Sequence, residues 1–229
     1  MIDKRYRGVA DALAHCPDLR DGAVVLVAGF GDAGVPVVLL EAVSELGLRN
    51  LTIVSNNAGS GEQGLAKLLR SGSVSRIVCS FPRSAGSVAF EALYDAGRLD
   101  LEVVPQGTLA ERIRAAGAGV GAFFTPTGVG TKMAEGKEVR EFNGRMMVME
   151  YALPGDIALV EAWEADRWGN LTFKLSGRNF NPVMATAAKT TIVQTQHIVE
   201  LGALDPQHIM CPGLYVDRVI HIPYGDPPF

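Results

Sequence analysis

Cysteine is scarce. There are three, Cys16, Cys79 and Cys211, an odd number without framework spacing. That excludes a disulfide-built scaffold and fits reduced thiols in a cytoplasm. Long apolar runs are missing too: Ala23 to Phe30 has eight residues, and no run approaches the roughly 18 that mark a membrane span. Basic excess is absent. Lys and Arg number 21 against 25 Asp and Glu, a net charge of −4, so the electrostatic footprint of a nucleic-acid binder is lacking. The N-terminal stretch MIDKRYRGVADALAHC is polar and mixed in charge, unlike a signal peptide. Histidine is confined to His15, His197, His208 and His221. No G-x-S-x-G elbow and no Walker loop appears, which speaks against a serine hydrolase or a P-loop enzyme. His208 and Cys211 lie between Pro206 and Pro212 without a second ligand pair. They read as surface packing, and no metal site is expected. With no linker, low-complexity segment or repeat, residues 1–229 are expected to form a single domain.

Glycine is what the chain has in excess: 26 of 229 residues, about 11% against a usual ~7%, and it clusters in turns after apolar runs. AVVLVAGFGDAG precedes VPVVLLEAVSELG, LTIVSNNAGSG precedes EQGLAKLLRSG, RIVCSFPRSAG precedes SVAFEALYDAG, and LEVVPQGT precedes LAERIRAAG. Four β-loop-α units predict a parallel sheet with helices on its faces. Gly47, Gly72, Gly97 and Gly117 stand where left-handed C-caps are wanted, and Pro36 at a first helical turn. Leu109, Ile113 and Ala116 mark one face of the fourth helix, with Glu111, Arg112 and Arg114 as its solvated side. The second half changes style. Asn143-Gly144 between two strand-like runs is a hairpin signal. IALVEAW, the turn Arg167–Asn170 and LTFKL make a second β pair. TTIVQT and YVDRVIHI read as late strands, and Asn181-Pro182 opens a short helix through Ala188. Trp163 and Trp168 read as packing residues. The predicted class is α/β: a mainly parallel sheet with flanking helices, plus an antiparallel β extension.

Two segments match G-x-G-x-x-G: Gly29, Gly31, Gly34 and Gly59, Gly61, Gly64. Two readings stand. The backbone approaches an anionic ligand closely, or the glycines only permit tight turns. A dinucleotide site also wants an acid at the end of the next strand; Val54, Ser55 and Asn56 occupy that place, which speaks against nicotinamide. Asn56 and Asn57 at a strand end either donate to a developing oxyanion or form an Asx-turn. Gln106, in the equivalent place after the fourth strand, is either a third such donor or a polar loop residue. Cys79 reads as a buried strand cysteine rather than a nucleophile.

The stretch from Asp21 through Gly29-Phe30 and Gly34 to Pro36, together with SNNAG, VPQGTLAERIRAAGAG, FFTPTGVGT, DRWGNLTF, GRNFNP and DPQHIMCPGLYVDRV, resembles the α subunit of family I coenzyme A transferases. Ala28 replaces the first glycine of the family's Gly-Gly-Phe. The resemblance covers nearly the whole chain. Within the family, VCSFPRS and SNNAGSGEQGL look most like the members acting on 3-oxoadipate in the catabolism of aromatic compounds. The resemblance implies a thioester substrate, succinyl-CoA, a 3-oxoacid acceptor and covalent catalysis through a glutamyl-CoA thioester. It also implies that this glutamate, in an E-x-G-x-x-G context, belongs to a β-subunit partner: the nearest match here, Glu62, has a different setting. Asn56, Asn57 and Gln106 are then auxiliary, orienting groups, and Gly29, Phe30, Gly31, Gly34 and Gly59 a substrate or CoA loop. No other cofactor is implied. Succinate and 3-oxoadipate carry a distal carboxylate that acetoacetate lacks. Arg83, in the loop after the third strand, either reads it or is a surface arginine. Two other functions stay open: the same chemistry with acetoacetate or another short 3-oxoacid, and a non-catalytic ligand-binding relative on the same scaffold. A sugar-phosphate isomerase is disfavoured, since no acid-lysine pair occupies the strand-end loops. The β extension is the expected partner interface, large and apolar; the assembly is heteromeric and cytoplasmic.

Overall fold

A strand apolar at every position, such as AVVLV, is satisfied only with both faces covered. The computed structural model describes residues 2–223 and covers both faces. Its elements run β1 (Arg5–Tyr6), α1 (Val9–Leu13), β2 (Val24–Val27), α2 (Val37–Ser44), β3 (Leu51–Asn57), α3 (Leu65–Arg70), β4 (Val74–Phe81), α4 (Val88–Asp95), β5 (Asp100–Val103) and α5 (Gln106–Gly117). They continue through β6 (Ala122–Thr125), β7 (Val139–Phe142), β8 (Arg145–Tyr151), β9 (Gly155–Ala165), β10 (Leu171–Thr172), α6 (Asn181–Ala185), β11 (Ala188–Ile198) and β12 (Arg218–His221). The four expected β-loop-α units are β2 to α5.

The main sheet has the order β1-β12-β11-β9-β2-β3-β4-β5 and is parallel along this path. β10 adds antiparallel to β9. Alternation along each strand splits the core in two. Val25, Val27, Ile53, Ile77, Leu159 and Ile192 face α1 to α4. Leu26, Val54, Val78, Val160 and Val193 face α5 and α6. From β2 the chain steps outward through β3, β4 and β5, with helices on the first face. From β9 it steps the opposite way to β11 and β12, and α6 lies on the second face, as right-handed crossovers require. The direction of travel reverses between β2 and β9. Such a point leaves a crevice at the carboxyl ends of the strands.

The antiparallel extension is a separate sheet, β6-β8-β7. Asn143 and Gly144 both have positive φ, 51° and 77°, and pair Phe142 with Arg145 across the expected hairpin. The Arg167–Asn170 turn is also present. Asp166 Oδ1 accepts from the N–H groups of Trp168 at 2.9 Å and Asn170 at 3.0 Å. Trp168 lies exposed on that turn rather than packed, because it sits at the tip that Asp166 holds.

Three further expectations are corrected. Gly117 is the last helical residue of α5, not a left-handed cap; Gly119 takes the positive φ, 72°. Gly117 lacks a Cβ for a packing reason: one would collide with Thr186 at the end of α6. Gly47, Gly72 and Gly97 do adopt positive φ behind α2, α3 and α4. The helix opened by Asn181-Pro182 stops at Ala185, since Ala188 already begins β11. Arg112 is not on a solvated face. It is 8% exposed, and its Nη1 donates to Glu102 Oε1 at 2.6 Å while Nε donates to the Tyr151 carbonyl at 2.9 Å. Glu150, itself buried, lies 3.9 Å away and accepts from Lys137 at 2.7 Å. Burial alone raises the Glu102 carboxyl, but hydrogen bonds from Arg112 and Arg76 outweigh it and hold the group below its ordinary range. Arg112 thus ties α5 to both sheets. Glu111 and Arg114 form the solvated pair.

Removing one partner of a buried ion network leaves the others uncompensated, so Arg112→Ala is expected to lower unfolding free energy by about 3 kcal/mol. Arg114→Ala, on the solvated side, is expected to change it by less than about 0.5 kcal/mol. Denaturant midpoints of the two variants check this; equal small effects contradict the burial of Arg112.

Candidate functional site

Adjacent residues in a strand must point to opposite faces, and this separates the two asparagines that end β3. Asn56 turns to the face covered by α5, Asn57 to the other. Asn56 is 5% exposed. Its Oδ1 accepts from Ser80 Oγ on β4 and from Gln106 Nε2 at the start of α5, both at 2.9 Å. Both acceptor positions of that oxygen are filled, which fixes the amide's orientation. Its Nδ2 bonds no protein group, and no buried side-chain nitrogen or oxygen among the described residues lacks a partner. The Nδ2 donors therefore meet the adjoining cavity. Sequence left two readings for each amide; the geometry divides them. Asn57 Oδ1 accepts from the Gly59 N–H at 3.0 Å, an Asx-turn, and its Nδ2 reaches the Gly31 carbonyl at 3.5 Å. It staples the two glycine loops together.

Those loops face each other across a cavity of about 460 Å³, which Gly29, Gly31, Gly59, Asn56 and Asn57 all line. A second cavity of about 580 Å³ opens beside it, with Phe30, Asn56, Ser80, Phe81 and Gln106 on its wall. Phe30 and Phe81 are 50% and 60% exposed on that wall. The loop after β2 is closed on itself by reciprocal bonds between Phe30 and Ala33, at 3.0 and 3.1 Å. The GRNFNP segment clamps it from outside. Asn179 Nδ2 donates to the Ala33 carbonyl at 2.9 Å, and Asn181 Nδ2 to the Gly34 carbonyl at 3.0 Å. Gly34 has φ 65°, and a Cβ there would collide with the Gly177 carbonyl, so the approach demands glycine. Ser80, Asn179 and Asn181 are the site residues that sequence reasoning did not single out.

Two nominated residues lie elsewhere. Arg83 turns to α4, 3.8 Å from Glu91 and 3.6 Å from Asp95, outside these cavities. Cys79 is fully buried, and burial pushes its thiol up to about 12, so its thiolate is disfavoured as a nucleophile. Among the described residues no three His, Cys, Asp or Glu side chains gather as a metal site requires. No described helix is long and apolar enough to cross a membrane.

A third cavity, about 370 Å³, fills the crevice where chain direction reverses. β2 stops at Val27 opposite Leu159, while β9 runs on to Ala165. Glu161 and Trp163 thus lie beside the loop after β2, continuing the row of Ile157 and Leu159. Glu161 pairs across the sheet with Gln194, and its Oε2 and Oε1 accept from Gln194 Nε2 and Gln196 Nε2, each at 3.3 Å. Burial raises the Glu161 carboxyl from 4.5 to about 7, against the opposing hydrogen bond from Gln196. Asp32 lines all three cavities, so they adjoin one another at that residue.

Comparison with known proteins adds four findings. The coenzyme A transferase family model matches residues 9–221. The chain is 55% identical over 222 residues to the A subunit of 3-oxoadipate CoA-transferase from Pseudomonas putida, covering 97% of this chain and 95% of that protein. It is 46% identical over 217 residues to the A subunit of succinyl-CoA:3-ketoacid coenzyme A transferase from Xanthomonas campestris pv. campestris, covering 95% and 88%. In fold it matches an acyl-CoA transferase from Escherichia coli O157:H7, crystallised as a thioester complex with CoA, with a TM-score of 0.83 at 22% identity. That match covers 99% of this chain and 49% of the larger one.

The raised Glu161 carboxyl has a consequence for stability. Between its ordinary and its folded value the folded chain holds a proton that the unfolded chain has released. Stability therefore falls as pH rises through that window. Glu161→Gln, which does not titrate, is expected to gain about 1–2 kcal/mol relative to the parent between about pH 5 and about pH 8, after discounting for partial exposure. Thermal melts of both proteins across that range check the sign; a parallel pH dependence contradicts it.

Proposed function

The chain belongs to the coenzyme A transferase family, and on that premise we propose that it is the α half of an enzyme moving CoA from succinyl-CoA to 3-oxoadipate. A β-type partner supplies the glutamate nucleophile. The acceptor assignment rests on the 55% identity to a 3-oxoadipate enzyme, against 46% to one named for 3-ketoacids. The second reading, acetoacetate or another short 3-oxoacid as acceptor, keeps the same chemistry. Three free, buried cysteines fit a reducing, cytoplasmic setting.

The observation that carries the mechanism is the convergence of Ser80 and Gln106 on Asn56 Oδ1. It leaves a rigid amide donor aimed into a cavity. Acyl transfer from a thioester needs such a donor where the carbonyl oxygen gains charge. A neutral amide suits the task, because it needs no counter-ion in the resting state. Asn56 lines two cavities, whose acids are Asp32, accepting from Ser60 Oγ at 3.4 Å, and Glu62. In this reading neither is the nucleophile, and the reacting carboxylate arrives from the partner. It attacks the succinyl carbonyl and expels CoA thiolate. The thiolate then attacks the resulting anhydride at the enzyme's carbonyl, freeing succinate and leaving an enzyme-CoA thioester. The acceptor's carboxylate takes CoA by the reverse sequence. Phe30 and Phe81, exposed on the cavity's wall, suit burial by the partner.

This chain purified alone is expected to show no transferase activity, and activity is expected on co-expression with its β-type partner; turnover by the isolated chain contradicts the split site. In the complex, Asn56→Ala is expected to lower kcat by about 10²–10³-fold, the usual loss for one oxyanion donor. A change within about threefold, inside the noise of a role worth under 1 kcal/mol, sinks the role given to Asn56.

A further inference from the structure

The crevice at the reversal point holds a cation that no carboxylate neutralises. Lys174 Nζ lies 4.1 Å above the centre of the Trp163 ring, and among the described residues no acid stands within ion-pair distance of it. The acid next to Trp163, Glu164, accepts instead from Thr172 Oγ1 at 2.8 Å. A ring face attracts an ammonium without removing its charge or occupying its N–H donors. Leu175, the next residue, is 81% exposed and has φ 48°. That conformation is rare for a bulky side chain and accumulates at ligand-binding positions. It stands at the mouth of the same cavity.

We propose that this crevice is a specificity site for the distal carboxylate of a dicarboxylic acyl chain, with Lys174 as its counter-ion and Trp163 as the apolar wall beside the chain's methylenes. The inference rests on the reading of function above and deepens it. Both acyl groups of that reaction, succinyl and 3-oxoadipyl, end in a second carboxylate, and the crevice meets the amide-lined cavity at Asp32. Two acids line the crevice with Lys174, and neither pairs with it. Asp32 stands where the crevice meets the amide cavity, beyond ion-pair distance of Lys174, with its Oδ1 accepting from Ser60 Oγ at 3.4 Å. Glu161 accepts from two glutamine amides, and burial keeps a large share of it protonated near neutral pH, when it donates to a carboxylate rather than repelling it. Arg83, the cation nominated from sequence, is already paired with α4.

The test uses the co-expressed complex and steady-state kinetics with 3-oxoadipate and with acetoacetate as acceptor. In a ping-pong enzyme, kcat/KM for an acceptor reports the half-reaction of that acceptor alone. Lys174 is exposed, so its variants are expected to fold. Lys174→Met is expected to lower the ratio of kcat/KM for 3-oxoadipate to that for acetoacetate by about 10–100-fold, the usual worth of a charge-assisted hydrogen bond. Lys174→Arg, which keeps the charge, is expected to retain most of it. An unchanged ratio in Lys174→Met, or an equal loss in Lys174→Arg, overturns the site while leaving the functional reading intact. A parent complex that does not use 3-oxoadipate overturns both.

Discussion

The fully buried amide of Asn181 accepts from the Glu161 N–H at 2.8 Å and donates to the carbonyls of Gly34 and Gly177 at 3.0 and 2.8 Å. One side chain thereby joins β9, the loop after β2 and the turn before α6. Each of these backbone groups, left unpaired in the interior, costs about 1–3 kcal/mol. The loop is the wall between the amide-lined cavity and the reversal-point crevice. With Asn179 holding Ala33 and Asn57 holding Gly31, it is bonded from both faces of the sheet. The glycines follow from this. Gly34 must leave room for Gly177, and Gly29 for the side chain of Val35.

The sheet decides where charge can sit. On the face under α5, the strand ends carry Asn56 and Ser80, neutral groups that satisfy each other and spare one amide for the cavity. On the opposite face, β9 and β11 run past the end of β2, and Glu161 lies level with Gln194. Gln194 Oε1 in turn accepts from the Leu39 N–H in the first turn of α2, at 3.1 Å. The polar row is therefore tied to helix, loop and neighbouring strand at once. Among the described residues of the crevice, Lys174, beyond the end of β10, is the full charge without a partner acid. Neutral donors where charge is transient, and a fixed cation where charge is permanent, suit acyl transfer between dicarboxylic acids.

Local signals were legible in the sequence. The four β-loop-α units, the Asn143-Gly144 hairpin and the buried face of Leu109 and Ile113 all depend on residues within a few positions of one another. The amide loops were legible as a place, but their division of labour depends on the alternation of β3 and on where α5 begins. Non-local partners were not legible. Arg112 reads as solvated until Glu102, Glu150 and Tyr151 are brought around it. Gly117 reads as a cap until Thr186 arrives, and Glu161 as one more strand residue until Gln194 and Gln196 pair across from it. Arg83 is placed by a local feature the sequence also holds: Glu91 and Asp95 lie one helical turn apart on the next helix, and the guanidinium turns toward them. The resemblance to coenzyme A transferases carried the family, which the comparisons bear out. It carried nothing about Lys174.

One division underlies the proposed chemistry: this chain provides a wall of donors, and a different polypeptide provides the carboxylate on which CoA rides. Intact-mass spectrometry of the co-purified complex, quenched shortly after exposure to succinyl-CoA without acceptor, reads that division chain by chain. The predicted result is a CoA adduct on the partner, with this chain at its unmodified mass. An adduct on this chain, whether at Asp32, Glu62 or another acid, would contradict it.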